Sequence, residues 1–264
     1  MSIMKDYQTL QYREKEGVAT ITFNRPEVSN SINKQLQIDL LAAIEQVCAD
    51  DAVRVVVLTG AGKNFCAGFD LNERLTNPDD TATYLLDNYT KPIISAIYNA
   101  EKPFICAING SAAGVSSALA MTCDLITMAD NAYIYQAFST LSLIPDGGAC
   151  WHLVQQLGYR RAYEMVIEAE KMPAQQCLEL GLVNRVLPAD QLVARTEEWA
   201  LELAKKAPLT LRYTKEAMHQ ALLTDLMSTV DIEGKIQDVV MQSRDVQEGF
   251  TAFFEKRAPV FTGK

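Results

Sequence analysis

Around Gly17, residues Val18, Thr20 and Thr22 alternate with Ala19, Ile21 and Phe23. That alternation predicts a β-hairpin over residues 7–23, ended by Asn24-Arg25-Pro26. The period then lengthens. Asn33 stands as an N-cap before apolar positions at Leu36, Leu40, Ile44 and Val47, which predicts an amphipathic helix. Residues 54–59 carry a β-branched run, Val55-Val56-Val57, suited to a parallel strand buried on both faces and ended by Gly60-Ala-Gly62. Residues 72–80 are polar and read as a mobile connection. Residues 81–99 read as helical, with Pro92 inside them.

The strand-then-helix pattern recurs. Residues 104–108 predict a second buried strand, Asn109-Gly110 a turn, and residues 114–121 a helix of small residues. Strands follow at 124–128 and 133–135. From Ala149 onward helical patterns dominate, with one short apolar segment at 182–187, and the chain from Pro208 reads as helical. The expected class is α/β, a core at 1–207 with a helical appendage at 208–264, and no low-complexity linker between them.

Composition narrows the chemistry. The 264 residues carry a net charge of −9 with no basic run longer than two, which argues against a nucleic-acid partner. No window approaches the ~20 uninterrupted apolar residues of a membrane span. The start, Met1-Ser-Ile-Met-Lys-Asp-Tyr7, has neither an apolar leader core nor an Arg-rich presequence, so a cytoplasmic location is expected. Six cysteines lie without a Cys-x-x-Cys pair, so neither a disulfide framework nor a zinc site is expected. With only His152 and His219 present, a three-imidazole metal site is excluded, and neither has a nucleophile motif around it. Carboxylates, hydroxyls and backbone groups remain.

Three stretches offer such groups: Phe65-Cys-Ala-Gly-Phe-Asp-Leu71, Asn109-Gly-Ser-Ala-Ala-Gly-Val-Ser116 and Leu143-Ile-Pro-Asp-Gly-Gly148. The first two are glycine-bearing turns that follow strands, and the second opens a helix, whose first amides are unsatisfied donors. Two such amides converging on one carbonyl oxygen make an oxyanion hole, in which each donor is worth roughly 3–4 kcal/mol to the transition state. Taken alone, both stretches are equally plain turns, and Asp146 in Pro-Asp-Gly-Gly is equally a turn residue.

Together the segments resemble the crotonase (enoyl-CoA hydratase/isomerase) superfamily. Asn24-Arg-Pro26, Val53-Arg-Val-Val-Val-Leu-Thr-Gly-Ala-Gly62, Phe65–Leu71, Lys102-Pro103, Asn109-Gly110 and Cys123-Asp124 fall in the family's order. Residues 174–186, with Gly181-Leu-Val183, and the terminal Glu248-Gly-Phe-Thr-Ala-Phe-Phe-Glu-Lys-Arg257 follow them. The resemblance implies a spiral of β-β-α units with a C-terminal helical trimerisation region, hence a homotrimer or a dimer of trimers. It implies an acyl-CoA thioester substrate and no separate cofactor, since the substrate carries the coenzyme A. It assigns the oxyanion amides to Phe69 and Val115 and places the adenine against the Ala67-Gly68 backbone. Arg25, with Lys256 or Arg257 of a neighbouring subunit, becomes a candidate phosphate contact; solvated surface charge is the alternative for each.

The departures from that pattern decide the chemistry. Family hydratases hold water between two glutamates; here Ala118 and Phe138 stand at those positions, and the glycine triplet is reduced to Gly114-Val115-Ser116. Asp146 sits where the similar Δ3,Δ2-enoyl-CoA isomerase branch has its acid, usually Glu. The resemblance therefore implies a double-bond isomerase in which Asp146 moves the proton and Phe138 and Ala118 keep water out. Ring isomerases, a dehalogenase or hydrolase-like branch with Asp146 as nucleophile, a hydratase, and a non-catalytic CoA-binding relic are the alternatives. For that dehalogenase reading, Phe138 occupies the position of the expected Trp. Asp70 is expected to brace its turn, Cys66 to be a spectator, and Phe250, Phe253, Phe254 and Phe261 to lie in a core, a subunit interface or a neighbour's acyl pocket.

Overall fold

The computed structural model describes residues 3–77 and 79–264. Strands β1 (Ile3–Asp6), β2 (Leu10–Lys15) and β3 (Val18–Phe23) pair antiparallel. The β2–β3 turn is Glu16-Gly17 with φ of 52° and 80°, the left-handed pair that a two-residue hairpin turn requires. Strands β4 (Val55–Gly60) and β5 (Phe104–Ile108) extend the sheet in parallel from β3. A second, three-stranded sheet consists of β6 (Ser111–Ala113), β8 (Tyr133–Tyr135) and β9 (Lys171–Pro173), while β7 (Leu125–Ala129) and β10 (Arg185–Leu187) complete the first. Val55, Val56, Val57 and all five residues of β5 are buried, as the unbroken apolar runs require.

Helix α1 (Lys34–Ala49) is capped by Asn33, whose Oδ1 accepts from the Leu36 amide at 2.9 Å, and it buries Leu36, Leu40, Ile44 and Val47. The polar stretch after it differs from expectation. Residues Leu71–Thr76 form a short helix, α2, because the Asp70 carboxylate caps it at the Asn72 amide; Pro78 lies outside the described residues. Residues 82–98 are helical in three pieces: α3 (Ala82–Leu85), a π-turn at Leu86–Thr90, and α4 (Lys91–Tyr98). Pro92 has no N–H to give to the preceding turn, so the wide turn ahead of it sits where the helical ladder is already broken.

Beyond these come α5 (Val115–Thr122), α6 (Ala149–Leu157), α7 (Tyr159–Glu168), α8 (Ala174–Glu179) and α9 (Leu192–Ala204), the last packed on β3, β4, β5 and β7. The remaining helices are α10 (Pro208–Ala221), α11 (Leu226–Met241) and α12 (Arg244–Glu255). Lys215 ties α10 to the core, donating to the Ile97 carbonyl at 2.9 Å and pairing with Asp124 at 3.1 Å. Asp124 also accepts from the Phe104 amide at 2.8 Å, so one carboxylate holds the start of β5 and the appendage together. Between α10, α11 and α12 runs an apolar groove of about 890 Å³, lined in part by Tyr213, Ile236, Val240, Phe250 and Phe253.

One buried amide joins the hairpin end to the loop after β4. Asn30, at φ 57°, donates through Nδ2 to the carbonyls of Ala61 (2.9 Å) and Asn64 (2.8 Å) and accepts from the Arg25 amide at 2.9 Å. Asn30→Ala removes three bonds, leaves those carbonyls without this donor and puts a Cβ-only residue at positive φ. We expect a loss of about 3 kcal/mol of stability, read as a lower urea midpoint at unchanged slope.

Candidate active site

Strands β4 and β5 are parallel neighbours, so the loops that follow them leave from the same sheet edge. Asn109 stitches the loops together: its Oδ1 accepts from the Gly60 amide at 3.2 Å and its Nδ2 donates to the Gly62 carbonyl at 3.0 Å. A Cβ on Gly110 would stand 2.0 Å from the Lys63 carbonyl oxygen, which explains the Asn-Gly pair. Further on, the Cys66 amide donates to Ser111 O and the Ala113 amide to Cys66 O, both at 3.0 Å. A Cβ on Gly68 would stand 2.7 Å from Ala113 O. Backbone therefore lies on backbone, with the Ser116 hydroxyl reaching both Cys66 O (2.8 Å) and Ala113 O (2.7 Å).

The two amides singled out by sequence lie on either side of this seam. Ile32 bridges the first loop by donating to Gly68 O (2.7 Å) and accepting from the Asp70 amide (2.9 Å), so the intervening Phe69 N–H faces away from that bridge. Val115 is the first residue of α5, where the N–H has no helical partner. The peptide that carries it is held from its other end. Gly114 O accepts from both the amide (3.0 Å) and the hydroxyl (2.6 Å) of Ser117, and that hydroxyl accepts from Gln136 Nε2 at 2.8 Å. Because Gly114 C=O and Val115 N–H belong to one planar unit, these bonds fix the direction of the N–H and polarise it. Ser117 and Gln136 are fully buried.

The acid arrives on a third segment. Gly147 and Gly148 have φ of 60° and 91°, and a Cβ on Gly147 would come within 2.8 Å of Val115 Cγ2 and 3.3 Å of Ala118 Cβ. Asp146 is thereby set beside Val115. The Phe138 ring borders Gly114, 3.8 Å from where a Cβ would lie, and Ala118 is fully buried. The Asp146-Gly147 turn thus packs on Val115 and Ala118, with Phe138 against the adjoining Gly114 and the Phe69 loop across the seam. Asp146 Oδ1 is buried and has no hydrogen-bond partner among the described residues. Desolvation by burial raises its pKa above the ordinary carboxylate value, offset only in part by a hydrogen bond from its own backbone.

Other candidates fall elsewhere. Arg25, a candidate phosphate contact, is turned inward: its guanidinium donates to Ser31 O at 2.5 Å and pairs with Asp70 at 3.1 Å. Burial alone raises the Asp70 pKa, but the Arg25 and Ser31 bonds outweigh it and hold the group below its usual value, so Asp70 braces the turn. Ala67 is exposed and anchored through its amide to Ser29 O (3.0 Å), and Gly68 is buried beside it. Lys256 and Arg257 lie at the end of α12, where Arg257 pairs with Glu248 (2.6 Å) and Glu255 (2.7 Å). Among the described residues, neither makes a hydrogen bond to the seam within one chain. The Cys66 thiol is buried and pushed up to about 12, far from a reactive thiolate.

His152 packs beneath the Asp146 turn. Its Nε2 lies 3.1 Å from Thr122 Oγ1, and since that hydroxyl already donates to Ala118 O (2.9 Å), the ring N–H is the donor. Among the described residues, no group of three or more His, Cys, Asp or Glu is placed to hold a metal ion, and no helix is long and apolar enough to cross a membrane. Sequence reasoning missed Asn30, Ser117 and Gln136, whose partners lie far away in the chain and leave no local spacing to read.

Comparison with known proteins covers the whole of this arrangement. The model of the enoyl-CoA hydratase/isomerase family matches residues 13–264. A probable enoyl-CoA hydratase of Rhodobacter capsulatus is 36% identical over 258 residues, 98% of this chain and 99% of that protein. The 1,2-epoxyphenylacetyl-CoA isomerase of Escherichia coli is 37% identical over 253 residues, 95% of this chain and 97% of that protein. The crystal structure of an enoyl-CoA hydratase from Bacillus anthracis superposes with a TM-score of 0.92 at 31% identity, covering 97% of this chain and 100% of that one.

Burial, with a smaller contribution from the charge of His219, lowers the His152 pKa to about 4. The ring is therefore neutral at pH 7, and its Cε1–H resonance should stay fixed from pH 8 to about 5 and move only near 4. A group depressed in the folded state below its unfolded value of about 6.5 stabilises fully above that value and loses its contribution as pH falls toward 4. His152→Gln should accordingly flatten the decline in Tm between pH 6.5 and 4.

Proposed function

The chain belongs to the enoyl-CoA hydratase/isomerase family, and we propose that its site performs the isomerase chemistry of that family, moving a double bond from the 3 to the 2 position of an enoyl-CoA. The observation that carries this reading is one half-buried carboxylate, Asp146, whose Oδ1 is buried without a partner among the described residues on a turn packed against Val115, while Ala118 and Phe138 stand at the positions of the two hydratase glutamates. The thioester oxygen accepts from the Phe69 and Val115 amides. Charge that develops there on enolate formation meets donors already oriented, one of them through Ser117 and Gln136. Asp146 removes a proton from C2 of the 3-enoyl-CoA, the electron pair shifts to form the C2–C3 double bond as C3–C4 opens, and the same carboxyl returns the proton at C4. With no carboxylate pair to hold water, hydration has no base of its own.

We further propose that the coenzyme A lies along Ala67 and Gly68, and that the chain works as a homotrimer or a dimer of trimers through residues 208–264. The apolar groove among α10–α12 and the exposed rings of Phe250, Phe253 and Phe254 support such an assembly. In it, Lys256 and Arg257 of a neighbouring copy reach the phosphates. Arg25 is a weaker candidate than the sequence suggested, because its guanidinium is committed to Ser31 and Asp70.

Conversion of 3-hexenoyl-CoA to 2-hexenoyl-CoA, followed by conjugated-thioester absorbance, tests the reaction. Asp146→Ala should lose about 10²–10⁴ in turnover with hydration of crotonyl-CoA negligible throughout; rapid hydration by the wild type would overturn the assignment. Since the base must be ionised, kcat/KM should fall as pH drops through a pKa above the ordinary carboxylate value. Light scattering tests the assembly: the wild type should run at a multiple of three chains, and a Phe253→Asp, Phe254→Asp double variant should dissociate.

A further inference from the structure

Behind Val115 lies a small, partly open cavity of about 20 Å³, walled by Ile32, Ile93, Val115 and Leu119 and by two polar side chains, Gln37 and Thr90. Its walls are continuous with the site, since Val115 also supplies the oxyanion amide, and Thr90 Cγ2 would lie 3.7 Å from a Cβ on Gly147, the neighbour of Asp146. Gln37 is 3% exposed. The Thr90 hydroxyl donates to its Oε1 at 2.8 Å, which fixes the carboxamide and leaves Nε2 buried with no acceptor among the described residues. A Leu or Met on this apolar face of α1, flanked by Leu36 and Leu40, would fill the same space with no polar group to satisfy. An unpaired buried donor is costly unless something meets it.

We infer that Gln37 is a specificity-determining residue, and that the acyl group bound here carries an oxygen acceptor (an ether, epoxide or carbonyl oxygen) which takes the hydrogen bond from Gln37 Nε2. The inference rests on the acyl-CoA reading of the site proposed above. The volume admits one atom-sized group, about what a water molecule requires, so the cavity reads a single oxygen and not a chain end. A site that donates to a substrate oxygen also discriminates against the analogue that lacks it, because that analogue leaves the donor buried and unpaired.

Calorimetric binding of thioesters without a double bond separates this from the isomerisation chemistry. Hexanoyl-CoA is compared with its 3-, 4- and 5-oxa analogues, in which one methylene becomes an ether oxygen, and with 5-oxohexanoyl-CoA. An ether oxygen normally weakens binding in an apolar pocket, so a gain is diagnostic. At least one oxygenated member should bind the wild type about tenfold tighter than hexanoyl-CoA. Gln37→Met should reverse that preference while binding hexanoyl-CoA at least as tightly, which also shows that the variant is folded. Thr90→Val, which frees the carboxamide to turn, should shrink the preference. Equal or weaker binding of every oxygenated member to the wild type, or a preference that survives in Gln37→Met, overturns the inference. A wild type that binds none of the thioesters overturns the acyl-CoA reading itself, and this inference with it.

Discussion

Gly68 approaches the Ala113 carbonyl so closely that a single methyl group would stand 2.7 Å from its oxygen. Everything at the site depends on that approach. It is possible only because two parallel strands deliver their loops to one edge, and it persists because Asn64, Asn109 and Ser116 tie the loops at several places. Spread the seam by the width of a side chain, and the loops that carry the Phe69 and Val115 amides come apart. The glycines at 68 and 110 are therefore demanded by distance: both would drive a Cβ into the facing backbone.

The third segment obeys a different constraint. A carboxylate that is to act as a base must not be neutralised by a cation or satisfied by donors, yet it must be shielded from water to gain basicity. Asp146 goes some way to both: its turn packs on the Val115 and Ala118 side chains, and its Oδ1 is buried without a partner among the described residues. The arrangement opposes stability at neutral pH, where a desolvated carboxylate is charged. The rest of the fold offsets that cost with a large core, of which β4 and β5 are the centre.

Much of this was legible in the chain. The β-branched run at 55–57, the alternation around Gly17 and the Asn33 cap are local signals, and each became the element that it predicts. The strands β6 and β9 were not legible, because Ser111-Ala-Ala113 and Lys171-Met-Pro173 lack the β-branched and aromatic residues that mark the equally short β8, Tyr133-Ile-Tyr135. The helix at Leu71–Thr76 carried its signal in Asp70, masked by polar composition. At the site, backbone donors leave no mark in a sequence beyond the glycines around them, so the Phe69 and Val115 assignments came from resemblance. Their supports, Ser117 and Gln136, are joined only by folding.

The proposed cradle for the thioester is made of main-chain groups, whereas the proposed acid stands on a separate turn that only leans against it. Main-chain donors survive almost any substitution that keeps the seam closed, as the change from three glycines to Gly114-Val115-Ser116 illustrates. On the function proposed above, the part of the molecule that dominates overall likeness is indifferent to the reaction, and the part that chooses it occupies a few positions: 118, 138 and 146. A chain of this kind can change its catalytic repertoire by exchanging three side chains while its kinship, measured over the full length, hardly moves. Labels inherited by overall identity follow the cradle; the chemistry follows the turn.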